Sequence, residues 1–382
     1  MATVARIEIG EGGAVRAVQS LLRQLLEHGG IDAVLTPGHL PLKGTVMPML
    51  INDPAQLDRA DPLSPAFPLN SARLAARLTR GSTSGRQVAA VLRPCEIRAF
   101  IELVKLNQGG MDNILLVGVD CPGALTNKDY RAFAMEGDPV ERTHEFLRAH
   151  QNGEPGVNGL SISRACMSCE HPVAEAADLI IGLAGADLTK EIPVLGNTAR
   201  GEGMLTRLNL PDVEGAPGRR ESLDKIIATR TEYRDAMFSE TRAQTDTLTG
   251  LSNYLSACVN CYNCRVACPV CYCKECVFLT DVFDYKPDQY LGWAEKRGAL
   301  KMPTDTVFFH LTRLSHMSTS CVGCGQCSNA CPNDVPVMEL FRSVAEKTQQ
   351  AFAYQPGRNP DEAPPMTVFR EDEFSEVTGG GH

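Results

Sequence analysis

The chain has 382 residues, of which 43% are hydrophobic and 22% are charged; this balance excludes a disordered or fibrous polypeptide, and the length predicts two or three domains. Its 46 acidic and 37 basic side chains give a net charge of −9, which argues against nucleic acid as the main partner. No apolar run reaches the about 20 residues of a membrane span and the N-terminal residues lack a secretory signal pattern, so we expect a cytoplasmic protein without a membrane span.

Apolar periodicity along the first half predicts strands that alternate with helices. Residues 13–28 carry apolar side chains at helical spacing, and a second helix is predicted over 95–106. Short apolar runs predict buried strands at 87–92, 113–119 and 178–183. Residues 50–70 and 195–218 are predicted as loops because they are rich in Pro, Gly, Asp or Asn. The alternation indicates an α/β domain with a mostly parallel sheet.

The second half has a different pattern. A charged helical stretch begins at Glu221, and three further apolar segments between 277 and 320 also have helical character. The division that follows is an α/β domain over 1–220, a linker helix over 221–250, a mainly α-helical domain over 251–350 and an extended tail over 351–382. The tail is Pro-rich and acidic; it either lies on a partner subunit or is solvated.

The chain contains 15 cysteines, none of them before residue 95 and eleven of them between Cys258 and Cys331. An odd number of cysteines in a chain without an export signal argues against a disulfide framework, because the cytoplasm keeps thiols reduced. Clustered intracellular cysteines are typical of metal sites. We therefore expect most of these thiols to bind metal.

Two segments repeat the pattern C-x2-C-x2-C-x3-C-P, starting at Cys258 and at Cys321. In bacterial ferredoxins this pattern binds two [4Fe–4S] clusters, and the fourth Cys of each run ligates the cluster of the other run. The predicted ligand sets are therefore Cys258, Cys261, Cys264 and Cys331 for one cluster, and Cys321, Cys324, Cys327 and Cys268 for the other. Zinc is the alternative, although zinc sites usually combine two C-x2-C pairs or Cys with His. His310 and His316 lie between the runs and are interpreted as packing or surface residues.

Three further thiols, Cys271, Cys273 and Cys276, follow the first run directly. They could ligate a further cluster with a fourth ligand from elsewhere in the chain, hold a structural zinc, or act as alternative ligands of the first two clusters. A further cluster is the favoured interpretation.

The four remaining cysteines, Cys95, Cys121, Cys166 and Cys169, lie in the first half. Cys95 and Cys121 each follow a predicted parallel strand, and the carboxyl edge of such a sheet is where binding residues gather. The four thiols could thus converge on a third [4Fe–4S] cluster. The alternative is that Cys95 or Cys121 is an inert buried thiol.

The order of the motifs LRPCEIRAF, GVDCPG and RACMSCEHP resembles the beta-subunit family of deazaflavin-coenzyme-reducing hydrogenases and formate dehydrogenases. The long helical interval between the two cysteine runs resembles the α-helical ferredoxin domains of heterodisulfide reductase and succinate dehydrogenase subunits. The resemblance therefore implies an α/β flavin-binding domain followed by a mainly α-helical two-cluster ferredoxin domain.

The same resemblance implies an FAD beside an iron–sulfur cluster and places flavin-contacting groups at Lys43, Gly44, Asn70, Ser71 and Arg93. It carries Cys166 and Cys169 over as ligands of the flavin-proximal cluster, with Cys95 and Cys121 as co-ligands. No Gly-x-Gly-x-x-Gly occurs in the chain, so a Rossmann-type diphosphate site is not expected. No catalytic residue is predicted.

The function expected from these observations is that of an electron-transfer subunit, an oxidoreductase component that moves electrons between FAD and [4Fe–4S] clusters. Expected partners are the catalytic subunit of a formate dehydrogenase or hydrogenase and heterodisulfide-reductase-like subunits. The alternatives are a flavin-free iron–sulfur relay without a substrate of its own, and a zinc scaffold.

Overall fold

A computed structural model describes residues 3–42, 44–81, 85–213, 215–280, 286–297 and 305–368. The strands are β1 Thr3–Glu8, β2 Ala33–His39, β3 Val46–Ile51, β4 Val88–Leu92, β5 Ile114–Val119, β6 Gly156–Val157, β7 Leu160–Ser161, β8 Leu179–Ile181 and β9 Glu191–Gly196. The α-helices are α1 Gly13–Glu27, α2 Ala72–Thr79, α3 Pro94–Lys105, α4 Asn127–Met135, α5 Pro139–Gln151, α6 Arg164–Met167, α7 Ala199–Arg207, α8 Arg219–Thr245, α9 Leu248–Tyr254, α10 Asn263–Ala267, α11 Pro287–Arg297, α12 Thr306–Met317, α13 Gln326–Asn329 and α14 Val337–Ala351. Short 3-10 helices span Pro54–Arg59 and Val277–Leu279.

The main sheet of the described residues has the strand order β1-β9-β8-β5-β4-β2-β3. The central strands β2, β4, β5 and β8 are parallel, and the three strands predicted from apolar runs are among them. The outer pairs are antiparallel, so the α/β class is confirmed but the sheet is mixed rather than mostly parallel. The carboxyl ends of β4, β5 and β8 share one edge, at which the predicted cysteine sites begin.

The sequence patterns missed the β2–β3 hairpin and α7. The hairpin pairs Pro37 with Pro48, and prolines in an apolar run weaken a strand prediction. The prediction of a loop over 195–218 is wrong in part, because helix α7 lies within these residues. The Thr198 hydroxyl accepts a hydrogen bond from the Gly201 N–H at 3.2 Å and caps this helix. Gly201 packs against the Asp178 carbonyl, and a Cβ at position 201 would lie 1.9 Å from that oxygen. The close packing therefore requires glycine, a residue with low helix propensity, and this glycine weakens the helix signal in the sequence.

Two hydrophobic layers cover the sheet. Because side chains alternate along a strand, Ala89 and Val91 of β4 pack in the layer of α1, whereas Ala90 and Leu92 pack in the layer of α3. The second layer continues into the C-terminal half, where it includes Phe309, Leu340 and Phe341. The sheet and the cysteine-rich helices therefore share one apolar core.

Helix α8 connects the two halves along the chain. It begins next to the sheet, where Arg219 pairs with the buried Asp120 at 2.5 Å. Further along α8, the buried Arg230 donates to the carbonyl oxygens of Cys121 and Pro122. Charged side chains dominate the helix. Across the part of the chain that the structure describes, no helix combines the length and the apolar character needed to cross a membrane.

The first part of the predicted tail lies against helix α3 of the same chain. Glu102 of α3 is fully buried and accepts hydrogen bonds from the Tyr354 hydroxyl at 2.6 Å and the Gly357 N–H at 2.8 Å. Lys105 pairs with the same carboxylate at 3.1 Å. Residues 352–368 are thereby tied to the α/β half, while residues 369–382 lie outside the described residues. The predicted domain limits stay a prediction.

Replacing His150 should make the free energy of unfolding less sensitive to acid. Burial, assisted by the charge of Arg230, lowers the pKa of His150 to about 4, whereas a histidine of the unfolded chain titrates near 6.5. The unfolded chain therefore binds the extra proton first as the pH falls, and stability is lost below about pH 6.5.

We expect His150→Gln to lose about 1 kcal/mol less than the wild type between pH 7 and pH 5.5, measured by anaerobic urea unfolding. His28→Gln is the control, because the His28 side chain is 67% exposed. Equal losses in the wild type and His150→Gln would contradict a His150 that stays neutral in the folded chain.

Candidate metal centres

Three cavities among the described residues are lined by cysteines. The first, the Cys258 cavity, is lined by Cys258, Cys261, Cys264 and Cys331. The second, the Cys324 cavity, is lined by Cys268, Cys321, Cys324 and Cys327. The third, the Cys95 cavity, is lined by Cys95, Cys121, Cys166 and Cys169, and also by Cys324 of the second set. The grouping is the one that the crossed ligand pattern predicts; that the sulfurs hold clusters stays a prediction.

The loop between α9 and α10 contributes Cys258 and Cys261 to the Cys258 cavity. Asn260 and Tyr262 have positive φ angles of 51° and 59°, a conformation that turns the backbone sharply. The fourth thiol, Cys331, follows α13 and accepts a hydrogen bond from the Val335 N–H at 3.4 Å. The buried His310 lies with Nε2 3.5 Å from Cys258 Sγ, so it contacts a predicted ligand, whereas His316 is exposed.

The Cys324 cavity uses glycines for its turns. Gly325 has a φ of 75° and starts α13, and a Cβ there would lie 2.3 Å from the Ala165 Cβ. Burial raises the pKa values of Cys321 and Cys324, and the backbone N–H groups of Gly323 and Gln326, which donate to these two sulfurs, partly oppose that rise. Such donors stabilise negative charge on cysteine sulfur and on a bound cluster.

The Cys95 cavity lies at the carboxyl edge of the sheet, as the sequence predicts. Cys95 is in the first turn of α3 directly after β4, and Cys121 follows β5. The short helix α6 supplies Cys166, whose sulfur accepts a hydrogen bond from the Ala124 N–H at 3.3 Å. Gly123 has a φ angle of 108°, which favours glycine. The absence of a side chain also leaves room for this approach, because a Cβ at position 123 would lie 3.3 Å from the Cys166 Cβ.

The three cavities are adjacent in the order Cys258, Cys324, Cys95. Cys324 lines both the Cys324 cavity and the Cys95 cavity. Arg313 connects the other pair, because its Nη1 donates to Cys264 Sγ at 3.1 Å while the same side chain lines the Cys324 cavity. The arrangement joins the sheet edge to the exposed side of the C-terminal half, where Cys261 is exposed.

Burial favours the thiol form of the most enclosed of these cysteines, Cys95, Cys264 and Cys327, in the absence of a cation. It raises the pKa of Cys264 to about 11 and raises the pKa values of Cys95 and Cys327 strongly. Neighbouring cysteines raise them further, since like charges would repel. Four such thiols around one cavity become thiolates when a metal binds and compensates their charge.

Buried arginines accompany all three sets, and the sequence patterns missed two of them. Arg93 donates to Cys121 Sγ at 3.5 Å, Arg230 to the Cys121 carbonyl, and Arg313 to Cys264. Arg313 is 4% exposed and Arg230 is 6% exposed. The available signal was a charge on an apolar helix face, because Arg313 shares its face with Phe309 and Met317.

The trio Cys271, Cys273 and Cys276 lies apart from these cavities. Cys271 is half-buried next to Cys268, Cys273 is exposed and Cys276 is half-buried. None of the three lines a cavity formed by four cysteines among the described residues. Among all the described residues, the twelve cysteines of the three cavities included, no three His, Cys, Asp or Glu side chains lie close enough to hold a single metal ion.

The residues that the resemblance assigns to FAD have mixed placements. Lys43 lies outside the described residues, and Gly44 lies in the β2–β3 turn near helix α4. The Asn70 side chain hydrogen-bonds Cys324, and the Ser71 N–H donates to Glu96. Arg93 directs its guanidinium to the carbonyl oxygens of Ser64, Ala66 and Gly123. Of the described members, Arg93 lines the Cys95 cavity and Asn70 contacts Cys324, and contact of any of them with a flavin stays a prediction.

Comparison with known proteins connects this geometry to a protein class. The model of the 4Fe-4S dicluster domain matches residues 254–335. The F420-dependent formate dehydrogenase subunit beta of Methanocaldococcus jannaschii is 27% identical over 372 residues, covering 91% of this chain and 92% of the relative. The F420-dependent formate dehydrogenase 1 subunit beta of Methanococcus maripaludis is 27% identical over 388 residues, covering 94% of each chain.

Among solved structures, a chain of the F420-reducing [NiFe] hydrogenase complex from Methanosarcina barkeri aligns with a TM-score of 0.44 and 14% identity, covering 65% of this chain and 94% of that one. The sequence similarity to the two beta subunits extends along nearly the whole chain, and it confirms the resemblance drawn from the cysteine-containing motifs.

Proposed function

We propose, from its kinship with the beta subunits of F420-dependent formate dehydrogenase, that this chain carries electrons through three [4Fe–4S] clusters between an FAD and a catalytic subunit on another chain. The observation that carries the proposal is that twelve cysteines surround three adjacent cavities, and that Cys324 lines both the second and the third. Four thiolates are the ligand set of a cubane. A row of such sites suits one-electron transfer through the protein.

The proposed ligand sets follow the three cavities. Cys258, Cys261, Cys264 and Cys331 hold the first cluster, Cys268, Cys321, Cys324 and Cys327 the second, and Cys95, Cys121, Cys166 and Cys169 the third. Backbone N–H donors and the buried arginines would hold the negative charge of the clusters. The trio Cys271, Cys273 and Cys276 would ligate a further cluster only with a fourth ligand from outside the described residues.

FAD supplies the exchange between two-electron and one-electron chemistry when it is bound. The deazaflavin coenzyme F420 is the two-electron carrier that the relatives' names indicate. The catalytic partner is a formate dehydrogenase or hydrogenase subunit, and heterodisulfide-reductase-like subunits are further proposed partners. The cytoplasmic location stays a prediction.

A second candidate function is a flavin-free relay. The specific observation in its favour is that Arg93, a predicted flavin contact, already donates to three backbone carbonyls. In that case the chain would connect two other subunits without a redox substrate of its own.

Flavin content separates the two candidates. We expect anaerobically purified protein to release about one FAD per chain on acid extraction, and we expect its flavin absorbance to vanish on dithionite reduction. Iron and zinc are measured on the same sample. Protein with its full iron content but no flavin would support the relay, and zinc in place of iron would contradict both candidates.

A further inference from the structure

Two segments of this acidic chain contain no acidic residue, and the fold brings them together. Residues 62–95 contain five arginines and neither Asp nor Glu, although the net charge of the chain is −9. Residues 247–274 also lack Asp and Glu. The segments meet where Arg73 Nη1 donates to the Val266 carbonyl at 3.0 Å. Positive charge is therefore concentrated on one part of the molecule.

Three arginines, Arg73, Arg77 and Arg80, follow one side of helix α2. They are spaced four and three residues apart, and side chains at this spacing lie on the same helix face. The opposite face consists of small residues that pack in the core layer of α3. Arg77 and Arg80 are exposed, and Arg73 is half-buried. We call these three residues the α2 arginines.

The α2 arginines have no carboxylate partner among the described residues, because none of the ion pairs there involves them. Glu96 contacts the start of α2, but it is 3% exposed and accepts the Ser71 N–H at 2.7 Å. Arg86 is not counted with the α2 arginines, because Asp32 accepts the N–H of its neighbour Gln87.

Helix stability does not account for this row of charge. Arg77 and Arg80 lie near the C-terminal end of α2, where the helix dipole favours a positive charge, but Arg73 lies in the first turn, where it does not. Like charges four residues apart also destabilise a helix. An unpaired row of positive charge is instead suited to meet an anionic surface.

One large apolar side chain lies beside the row. Val266 is 62% exposed, and its carbonyl is the group that Arg73 contacts. Along the chain, Val266 lies between Cys264, which lines the Cys258 cavity, and Cys268, which lines the Cys324 cavity. A protein that covers this surface would lie beside the segment that carries proposed ligands of two clusters.

We propose that the α2 arginines and Val266 form the docking surface for an acidic ferredoxin, a small one-electron carrier protein. Permanent subunit interfaces are largely apolar, whereas transient electron-transfer complexes are small and are steered by charge; three arginines around one valine match the second class. The inference rests on the proposed function, because docking here is useful only if the chain holds clusters. One electron leaves the reduced ferredoxin and one cluster of this chain gains it, and no bond is made or broken.

The test measures binding of a purified acidic bacterial ferredoxin to full-length, anaerobically prepared, iron-loaded protein. Calorimetric titration gives the dissociation constant, and stopped-flow absorbance gives the rate of electron transfer from the reduced ferredoxin. We expect the dissociation constant to rise at least tenfold between about 50 and about 300 mM NaCl, because salt screens the attraction between charges.

The variants Arg77→Glu and Arg80→Glu should each raise the dissociation constant at least fivefold and slow electron transfer, because each places a negative charge against the ferredoxin. Arg77→Lys retains the charge and should bind like the wild type. The matched control is Arg220→Glu, which makes the same change on α8, where the side chain is 96% exposed; it should also bind like the wild type.

No binding of ferredoxin, binding that salt does not weaken, or unchanged binding in both α2 variants would overturn the inference. An equal loss in Arg220→Glu would overturn it too, since net charge alone would then be the cause. Binding of phosphatidylglycerol vesicles in place of ferredoxin would assign the surface to a membrane instead.

Iron, sulfide and dithionite bleaching are measured on the same samples. Intact clusters without binding of ferredoxin would reject the docking surface alone, whereas protein without clusters would reject the proposed function. The salt series uses only the wild type, so the test does not depend on how well a variant folds.

Discussion

Replacing Cys324 by Ser is expected to interrupt electron transfer and to remove about four of about twelve irons per chain, because each cubane holds four. Cys324 lines the Cys324 cavity and also contacts the Cys95 cavity, so it lies at the junction of the middle and last sites of the row. Without the middle cluster, the two outer clusters are no longer adjacent. Formate-driven reduction of F420 by the purified complex should fall to the background rate.

The matched control for Cys324→Ser is Cys273→Ser. Cys273 is exposed and lies outside the three cavities, so this variant should retain the iron of all three sets and the electron-transfer rate. The two variants make the same chemical change within one half of the chain. Full iron content and full rate in Cys324→Ser would contradict the predicted row of clusters.

Replacing Arg313 by Gln is expected to lower the midpoint potential of the cluster in the Cys258 cavity. The Arg313 Nη1 donates to Cys264 Sγ at 3.1 Å and its Nη2 to the Cys264 carbonyl at 3.2 Å. The guanidinium packs over Phe341 at 4.6 Å and is 4% exposed. A buried positive charge and an N–H donor on a ligand sulfur stabilise the reduced cluster, which carries one more negative charge.

The expected shift in midpoint potential is on the order of 100 mV. A charge-assisted hydrogen bond contributes about 1.5–3 kcal/mol, and about 1.4 kcal/mol corresponds to a tenfold change in an equilibrium constant. For a one-electron reaction, a tenfold change corresponds to about 59 mV. A potentiometric titration followed by electron paramagnetic resonance measures it. Arg313→Lys retains the charge and should shift the potential less.

Arg265→Gln is the control for position 313, because it removes a buried arginine next to Cys264 whose Nε has no partner among the described residues. We expect it to shift the potential less than Arg313→Gln does. If the two variants shifted the potential equally, the N–H···S contact of Arg313 would not be the cause.

The cysteine grouping could be predicted from the sequence because the information is local and repeated. Each C-x2-C-x2-C run brings three sulfurs together within one turn of chain, and the ferredoxin pattern assigns Cys331 and Cys268 to opposite runs. Cys95 and Cys121 could be placed because each follows an apolar strand, and parallel strands end at one edge. Cys166 and Cys169, a single C-x2-C pair, could be added to this group only as a hypothesis, which the family resemblance supports.

The supporting residues could not be predicted in the same way. Arg230 and Arg313 reach the cysteine sets from helices that are distant in sequence, so their roles depend on how α8 and α12 pack. Arg93 was assigned to a flavin by resemblance, but its donors are used by backbone carbonyls that only the fold brings near.

The same contrast holds for the secondary structure. Strands β4 and β5 are continuous apolar runs and could be recognised as buried. Strands β2 and β3 carry prolines at paired positions, and α7 contains two glycines within nine residues. In these segments tertiary contacts override weak local propensity.

The number of irons and acid-labile sulfides per chain tests the central claim most directly. Three cubanes predict about twelve of each in anaerobically purified protein, since every cubane contains four irons. About sixteen would add a cluster at Cys271, Cys273 and Cys276 and would leave the three cavities assigned as they are. Eight or fewer irons in protein with all fifteen cysteines intact, or zinc in place of iron, would contradict the assignment of the three cavities to [4Fe–4S] clusters.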